Sequence, residues 1–386
     1  MPCSDREVFA LHCRVCSQKM EDAPLLTYQN MPKSAQFFPS PSEADTERGV
    51  DLRLFMCPYC GMIQLDGEPV PYYREVIRAT RVSPEMRAFR VRQFRDWMER
   101  YHLQGKRIVE IGCGGGEFLS MMEEAGADVE GIEFSEELVR RARAEGLRVH
   151  HQYLEEGMEE IPGAPYDAFY ILSFLEHNPD PCAYLRRIAQ NLTEDAVGIV
   201  EVPDVDMILR EHLYSEFIQD HLLYFTEDTL RRTLEHCGFE VLSCTSVWHG
   251  YVLSAEVRKR RRMDVSGFLA QQEKVRKSVD EFLSEMEGRG LRTAVWGAGH
   301  QALADLSLLD MAGRIEIVLD SADFKQNKLT PATHIPIVAP CALAEGTIGA
   351  VLVIAGSYSM EIVRILEEQY PNVVRAVLEH DGVRRA

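Results

Sequence analysis

The chain has 386 residues, 46% hydrophobic and 27% charged, with a formal net charge of −19. That length exceeds one ordinary hydrophobic core, so two or three domains are expected, and the acidic balance argues against broad binding to a nucleic-acid backbone, which needs clustered Lys and Arg. No apolar run approaches the roughly 20 residues that cross a bilayer, and the N-terminus has no signal-peptide core, so the expectation is a cytoplasmic monomer or weak homo-oligomer acting on a small molecule, with neither nucleic acid nor membrane as partner.

In chain order, the first signal is a pair of CxxC knuckles. Cys13 and Cys16 frame CRVC, Cys57 and Cys60 frame CPYC, and 40 residues separate the pairs. In a reducing compartment such cysteines read as metal ligands before disulfides. Four thiolates close a tetrahedral site with no open position, so a structural Zn2+ module over residues 1–75 is expected. Redox chemistry at the knuckles and an accidental pairing are the alternatives. Cys3 and His12 lie near enough in sequence to substitute as ligands.

Ser83 to Tyr101 predicts a helix. KRIVEIGCGGGEFLSMMEEAG then gives an apolar strand, a glycine turn and an amphipathic helix. Gly112, Gly114 and Gly116 let the backbone turn tightly toward a ligand over the free N–H groups of a helix N-terminus. The next strand, ADVEGIEFS, ends in Glu133 about twenty residues after the first glycine, where one βαβ unit places an acid for ribose hydroxyls. A dinucleotide would use the same acid. His151, Gln152 and Tyr153 follow at an expected adenine contact. A third strand, YDAFYILSFLEH, runs from Asp167 past Phe174 to Glu176 and His177, and AVGIVEVPD supplies a fourth.

EIGCGGG resembles motif I of class I methyltransferases, and the end of the third strand resembles their motif IV, beside the transferred methyl. The resemblance implies S-adenosylmethionine as cofactor, with Glu110 orienting its methionine part and Gly112, Gly114, Gly116, Glu133, Gln152, Tyr153 and Phe174 completing the site.

Beyond the core, the basic run Arg258 to Met263 reads as a solvated part of a charged helical linker over residues 256–290. Residues 291–386 then repeat strand, glycine turn, helix and strand, a second Rossmann-like unit. Gly297 and Gly299 there read either as a cradle for a substrate pyrophosphate or as a plain structural turn.

Three stretches together resemble the sugar C-methyltransferases: HCRVCSQ with MCPYCGMIQL, the core just described, and WGAGHQALADLSLL followed by IEIVLDSADFKQNKLTPATHIPI. The resemblance implies an α/β protein in three parts: the N-terminal four-cysteine zinc module, a class I methyltransferase Rossmann-like core over residues 76–255, and a C-terminal Rossmann-like domain over 291–386. It also implies C-methylation of keto-deoxysugars attached to nucleoside diphosphates. Attack by carbon needs a base to remove a proton next to a ketone. In EFIQDHLLYFT, His221 matches the family's base, Asp220 its acidic neighbour and Tyr224 the tyrosine that follows, while His177 matches a second active-site histidine.

The chain departs from that pattern at four places. Ile218 stands where a tyrosine is expected, Asp220 replaces a glutamate, Val76 or Ile77 replaces a second tyrosine, and Gln301, after His300, replaces a lysine. Tyr72, Tyr73 and Tyr224 are the phenols that could compensate. These departures keep open an O- or N-methyltransferase acting on another natural-product or glycan precursor, and a non-catalytic zinc-bearing binding protein.

Overall fold

The structure, a computed structural model, describes residues 11–20, 23–36, 38–75, 82–155 and 160–386. Cys3, Val76 and Ile77 lie outside the described residues. The chain divides into two compact units, Met1–Arg261 and Arg262–Ala386.

In the first unit, β1 (Leu26–Met31), β2 (Val50–Met56) and β3 (Ile63–Leu65) form an antiparallel sheet. Helix α1 (Pro84–Arg100) starts where expected: the Ser83 hydroxyl accepts the Met86 amide, and Pro84 sits at the first helical position, where its missing N–H costs nothing. Strands and helices then alternate through β4 (Arg107–Ile111), α2 (Glu117–Glu124), β5 (Asp128–Glu133), α3 (Glu136–Ala144), β6 (Val149–His151), β7 (Tyr166–Leu172), α4 (Pro181–Gln190) and β8 (Leu192–Pro203). They continue through α5 (Val205–Arg210), β9 (Leu223–Tyr224), α6 (Glu227–His236), β10 (Phe239–Val247) and β11 (Val252–Lys259).

Seven of these strands make one sheet in the order β10-β11-β8-β7-β4-β5-β6. Its five strands from β8 to β6 are parallel, whereas β11 runs antiparallel to both neighbours. Parallel strands covered on both faces read as continuous apolar runs, and Ile108–Ile111 of β4 are accordingly all buried. Strand order reverses between β4 and β7. The crevice beyond the carboxyl ends of those strands is where open α/β sheets bind ligands.

Gly116 caps α2 with a φ of +88°, and a Cβ there would stand 2.3 Å from Leu147 Cδ1. Its need for glycine therefore arises from packing against the loop before β6. Gly116→Ala is expected to cost about 1–3 kcal/mol for the backbone alone, read as a lower urea midpoint at unchanged slope.

The cysteine segment shares a hydrophobic core with the α/β sheet and forms a separate four-stranded sheet, β1-β2-β3-β9. Strand β3 pairs with β9, Ile63 lying opposite Tyr224. Cys13, Phe55, Cys57 and Met62 share one core with Val109, Phe174 and Leu222.

The second unit contains α7 (Ser266–Gly288), β12 (Thr293–Trp296), α8 (His300–Leu308), β13 (Ile315–Leu319), β14 (Lys328–Leu329), β15 (Pro336–Val338), β16 (Ala350–Val353), α9 (Ser359–Gln369), β17 (Val374–Glu379) and β18 (Gly382–Arg385). Its sheet order is β14-β15-β13-β12-β16-β17-β18, parallel from β15 to β17. Helix α7 buries Val275, Val279, Phe282 and Met286 in the same core as Val295 and Leu352, so the charged helical stretch belongs to this unit. The boundary falls inside the basic run, whose first part is tied to the first unit: Arg260 donates to the Glu235 and Phe239 carbonyls and Arg261 pairs with Asp195. Among the described residues no helix is long and apolar enough to cross a membrane.

Candidate functional site

At the end of β4 the chain turns through Gly112, Cys113 and Gly114 into α2. A Cβ on Gly112 would stand 3.2 Å from the Phe174 ring, whereas one on Gly114, at φ +57°, would meet only Glu117 Oε2, at 4.0 Å. Gly114 is thus the open edge of the turn. Glu133, buried at the end of β5, accepts the Gly114 amide at 2.9 Å and the Ser135 amide at 2.8 Å. Burial pushes its pKa up while these amides pull it down. The carboxylate is held against the glycine turn, where ribose hydroxyls could reach it. Glu133→Gln is expected to weaken S-adenosylmethionine binding about 10- to 100-fold, the loss of charge-assisted hydrogen bonds, as measured by calorimetry.

Glu110 is buried in β4 and accepts the Tyr170 hydroxyl at 3.0 Å. Gln152 donates its backbone amide to the Glu133 carbonyl at 2.9 Å, fixing the chain after β6. Tyr153 and Phe174 belong to an aromatic wall. Ring centroids lie 5.9 Å apart for Phe134–Tyr153, 6.4 Å for Tyr153–Phe174 and 5.3 Å for Tyr153–Tyr184. The Arg74 guanidinium lies 5.6 Å over Phe134 and 5.4 Å over Tyr153. A flat apolar wall beside Glu133 suits an adenine ring. Sequence reading missed Phe134, Tyr184 and Arg74; only Phe134 carried a signal, its place directly after Glu133.

The other half of the site begins where β7 ends. The turn Leu175–His177 buries Glu176 and His177. Glu176 is 1% exposed, its Oε2 has no hydrogen-bond partner, and burial pushes its pKa up to about 8, so it is largely protonated at neutral pH. His177 Nδ1 lies 2.7 Å from the Asp220 carbonyl oxygen. A carbonyl only accepts, so Nδ1 carries the proton and donates it, and Nε2 keeps its lone pair. Burial lowers His177 to about 4, although Asp220 opposes the shift. The His221 ring sits edge-to-face 4.7 Å away at 76°, its pKa held well below the ordinary value by burial and then by His177. Both imidazoles are neutral at neutral pH.

Tyr224 stands beside this pair, with its centroid 6.1 Å from that of His221. Its hydroxyl accepts the Ile218 amide at 2.9 Å and donates to the Ile218 carbonyl at 3.1 Å, closing the turn that carries Asp220 and His221. All four residues expected at the chemistry therefore come together, one of them with its hydroxyl committed to the backbone. Sequence reading missed Ala35, which donates to Asp220, Ser34, which is bonded to Tyr72, and the burial of Glu176; Tyr72, one of the phenols offered as compensation, meets Asp220 directly.

These shifts fix a pH dependence. Glu176 is raised from 4.5 to about 8, so the stability it contributes is complete below pH 4.5 and lost as pH rises toward 8. His177 is lowered from 6.5 to about 4, so its contribution is complete above 6.5 and lost as pH falls. The two oppose each other between 4.5 and 6.5, and above that only Glu176 acts. Between pH 6.5 and 8 the urea midpoint of wild type is expected to fall relative to that of Glu176→Gln.

Among the described residues, two groups of side chains could hold a metal: Cys13, Cys16, Cys57 and Cys60, and Glu176, His177 and His221. Sulfurs of Cys13 and Cys60, and of Cys16 and Cys57, lie 3.5 Å apart, close to the edge of about 3.8 Å that a tetrahedron of 2.3 Å zinc–sulfur bonds requires. Each knuckle is closed by a 2.9 Å hydrogen bond, from the Ser17 amide to the Cys13 carbonyl and from the Gly61 amide to the Cys57 carbonyl. The cysteines therefore fit zinc, and His12 lies outside their group, bridging instead to Lys19. The second group is looser. Its Glu176–His177 approach is 3.9 Å, against an edge of about 3.4 Å for nitrogen and oxygen ligands.

Comparison with known proteins bears on the same residues. Residues 86–244 match the family described as a methyltransferase domain. This stretch is a methyltransferase domain. Residues 254–378 match the family described as a C-methyltransferase C-terminal domain. The ubiquinone biosynthesis O-methyltransferase of Bordetella avium (strain 197N) is 39% identical over 92 residues, 22% of this chain and 38% of that protein. The enzyme of the same description from Xanthomonas oryzae pv. oryzae (strain PXO99A) is 37% identical over 98 residues, 24% of this chain and 41% of that protein. The chain thus spans about two fifths of the length of these curated relatives. Among solved structures, the plantazolicin methyltransferase BpumL in complex with SAH superposes over 46% of this chain and 86% of its own, at 16% identity and a TM-score of 0.37. An S-adenosylmethionine-dependent methyltransferase from Clostridium acetobutylicum ATCC 824 covers 44% and 92%, at 14% identity and a TM-score of 0.36.

Proposed function

We propose that the chain transfers the methyl group of S-adenosylmethionine to a carbon of a small keto acceptor, a nucleotide-linked keto-deoxysugar, with His221 as general base. The observation that carries this reading is the pair of neutral imidazoles, His177 and His221, at 4.7 Å beyond the carboxyl end of β7. A neutral imidazole can accept the proton that must leave carbon before carbon can attack. The match of residues 254–378 to a C-methyltransferase C-terminal domain supports the choice of carbon. S-adenosylmethionine, when bound, supplies an electrophilic methyl group. Glu133, Gly114, Gln152, Tyr153 and Phe174 hold and orient it, and Glu110 lies beneath the turn in β4.

In this reading the four cysteines bind a structural zinc ion, and the protein works in the cytoplasm on a soluble acceptor. Incubation with isotopically labelled S-adenosylmethionine and a panel of keto-deoxysugar nucleotides tests it. A new C–CH3 resonance in the product supports the reading, and methyl transfer only to unrelated metabolites sinks it.

A second reading, O- or N-methylation, is favoured by the curated relatives, whose names are those of O-methyltransferases, and by Ile218 and Gln301 standing where the sugar C-methyltransferases carry tyrosine and lysine. An O–CH3 or N–CH3 product resonance selects it. Cofactor affinity without turnover on any acceptor would instead mark a binding protein.

A further inference from the structure

Asp220 sits in the turn before β9, 2% exposed, and its environment is assembled from remote parts of the chain. Its Oδ1 accepts the Tyr72 hydroxyl at 2.7 Å and its Oδ2 accepts the Ala35 amide at 3.0 Å. The Tyr72 hydroxyl is in turn bonded to Ser34 Oγ, which also accepts the Gln36 amide at 3.1 Å. Ser34 to Gln36 belong to the segment between the two cysteine knuckles. At the other end of the chain of bonds, the Asp220 carbonyl takes the Nδ1 proton of His177 at 2.7 Å. A continuous path therefore runs from the cysteine segment through Ser34, Tyr72 and Asp220 to an imidazole that faces His221.

The three nearby tyrosines are not equivalent. The Tyr224 hydroxyl is closed on the backbone of Ile218 by two bonds. Tyr73 is T-stacked on Tyr153 at 6.2 Å and lies under Arg74. Tyr72 places its phenol on the carboxylate next to His221, and its hydroxyl proton points away from bulk water into a charge-assisted bond.

We propose that Tyr72 is a positioning residue for proton transfer: anchored by Ser34, it fixes Asp220 so that the Asp220 carbonyl holds His177 in its Nδ1–H tautomer beside His221. The importance of that tautomer rests on His221 acting as base, whereas the hydrogen-bond path does not. With Nδ1 protonated, Nε2 of His177 keeps its lone pair and can accept a hydrogen bond, whereas the other neutral tautomer would present a donor there. Without the phenol, the Asp220 carboxylate loses one of its two donors, the turn relaxes, and the carbonyl no longer selects one tautomer.

The test needs no acceptor. Full-length, zinc-loaded protein labelled with 15N-histidine is compared by long-range 1H–15N correlation as wild type, Tyr72→Phe and Tyr73→Phe, with His177→Gln assigning the signal. Wild type and Tyr73→Phe are expected to show His177 as the pure Nδ1–H tautomer and Tyr72→Phe a mixture, while remote histidines such as His380 do not move. An unchanged His177 pattern in folded Tyr72→Phe overturns the proposal. Should Tyr72→Phe fail to fold, Ser34→Ala carries the test, with a smaller tautomer shift expected and an unchanged pattern again overturning it. On whichever acceptor is methylated, kcat of Tyr72→Phe is expected to fall about 10- to 100-fold with KM within about twofold. A raised KM at unchanged kcat would mean that Tyr72 binds the acceptor instead. If no acceptor is methylated, the proposed activity fails while the tautomer result still decides this inference.

Discussion

Cys57→Ser is expected to abolish zinc binding and to destabilise Met1–Arg261 more than any other single substitution considered. Cys57 is wholly buried and shares a core with Phe55, Met62, Phe174 and Leu222, and Cys13 is buried with it, so half of the four-cysteine cluster stands inside the fold. Tetrahedral zinc contributes on the order of 10 kcal/mol to small structural sites, comparable with the whole stability of a typical domain. A serine hydroxyl is a poor substitute for a thiolate, and three remaining sulfurs leave an open, exchangeable coordination position. The loss should be uneven. Strand β3 pairs with β9, and Ser34, Ala35 and Tyr72 hold Asp220, so the His177–His221 side should loosen while the turn at Gly114 and Glu133 stays closed by its own bonds. The expected record is a metal content near zero and a much lower urea midpoint. Zinc-free wild type of full stability, or a Cys57→Ser protein as stable as wild type, would remove the structural role.

Why part of this site could be read from sequence and part could not is a matter of contact distance along the chain. The glycine turn and Glu133 lie in consecutive βα units, whose geometry fixes spacing: an acid one unit after the glycines must come back to them, and the 2.9 Å Gly114–Glu133 bond is the result. The cysteine knuckles were legible because each pair makes its own tight turn and four sulfurs can satisfy one metal. Tyr72 and Asp220 are 148 residues apart and Ala35 and Asp220 are 185 apart, in a segment with neither periodicity nor a motif to announce its direction. Pairing of β3 with the two-residue β9 was equally hidden, since a strand that short leaves no alternating pattern. The departures at Ile218 and Asp220 were visible as differences, but their compensation required three dimensions: a shorter carboxylate in place of glutamate is met by a phenol from Tyr72.

His221→Gln is expected to lower kcat by about 10²- to 10⁴-fold, the usual worth of a positioned general base, with cofactor affinity unchanged because Glu133 and the aromatic wall lie on the other half of the site. Glutamine keeps a polar planar side chain but cannot take up a proton at neutral pH. The pH profile separates a base from a merely polar contact. A base works only when unprotonated, so activity is complete above its pKa and lost as pH falls through it. Burial and His177 hold His221 well below 6.5, and His177 itself lies near 4. The wild-type acid limb should therefore fall well below 6.5, leaving kcat/KM flat across neutrality, and the residual activity of His221→Gln should lack that limb. A limb at the ordinary histidine pKa would show that the ring is solvated during turnover, and an unchanged kcat in the variant would remove His221 from the chemistry. The depressed pKa has a cost: a weakly basic imidazole gains little driving force from taking a proton off carbon, so most of the barrier must be lowered by stabilising the charge left on the acceptor. That requirement explains why rigidity around His177 and Asp220 matters. The His177 and His221 rings stand edge-to-face with their centroids 4.7 Å apart.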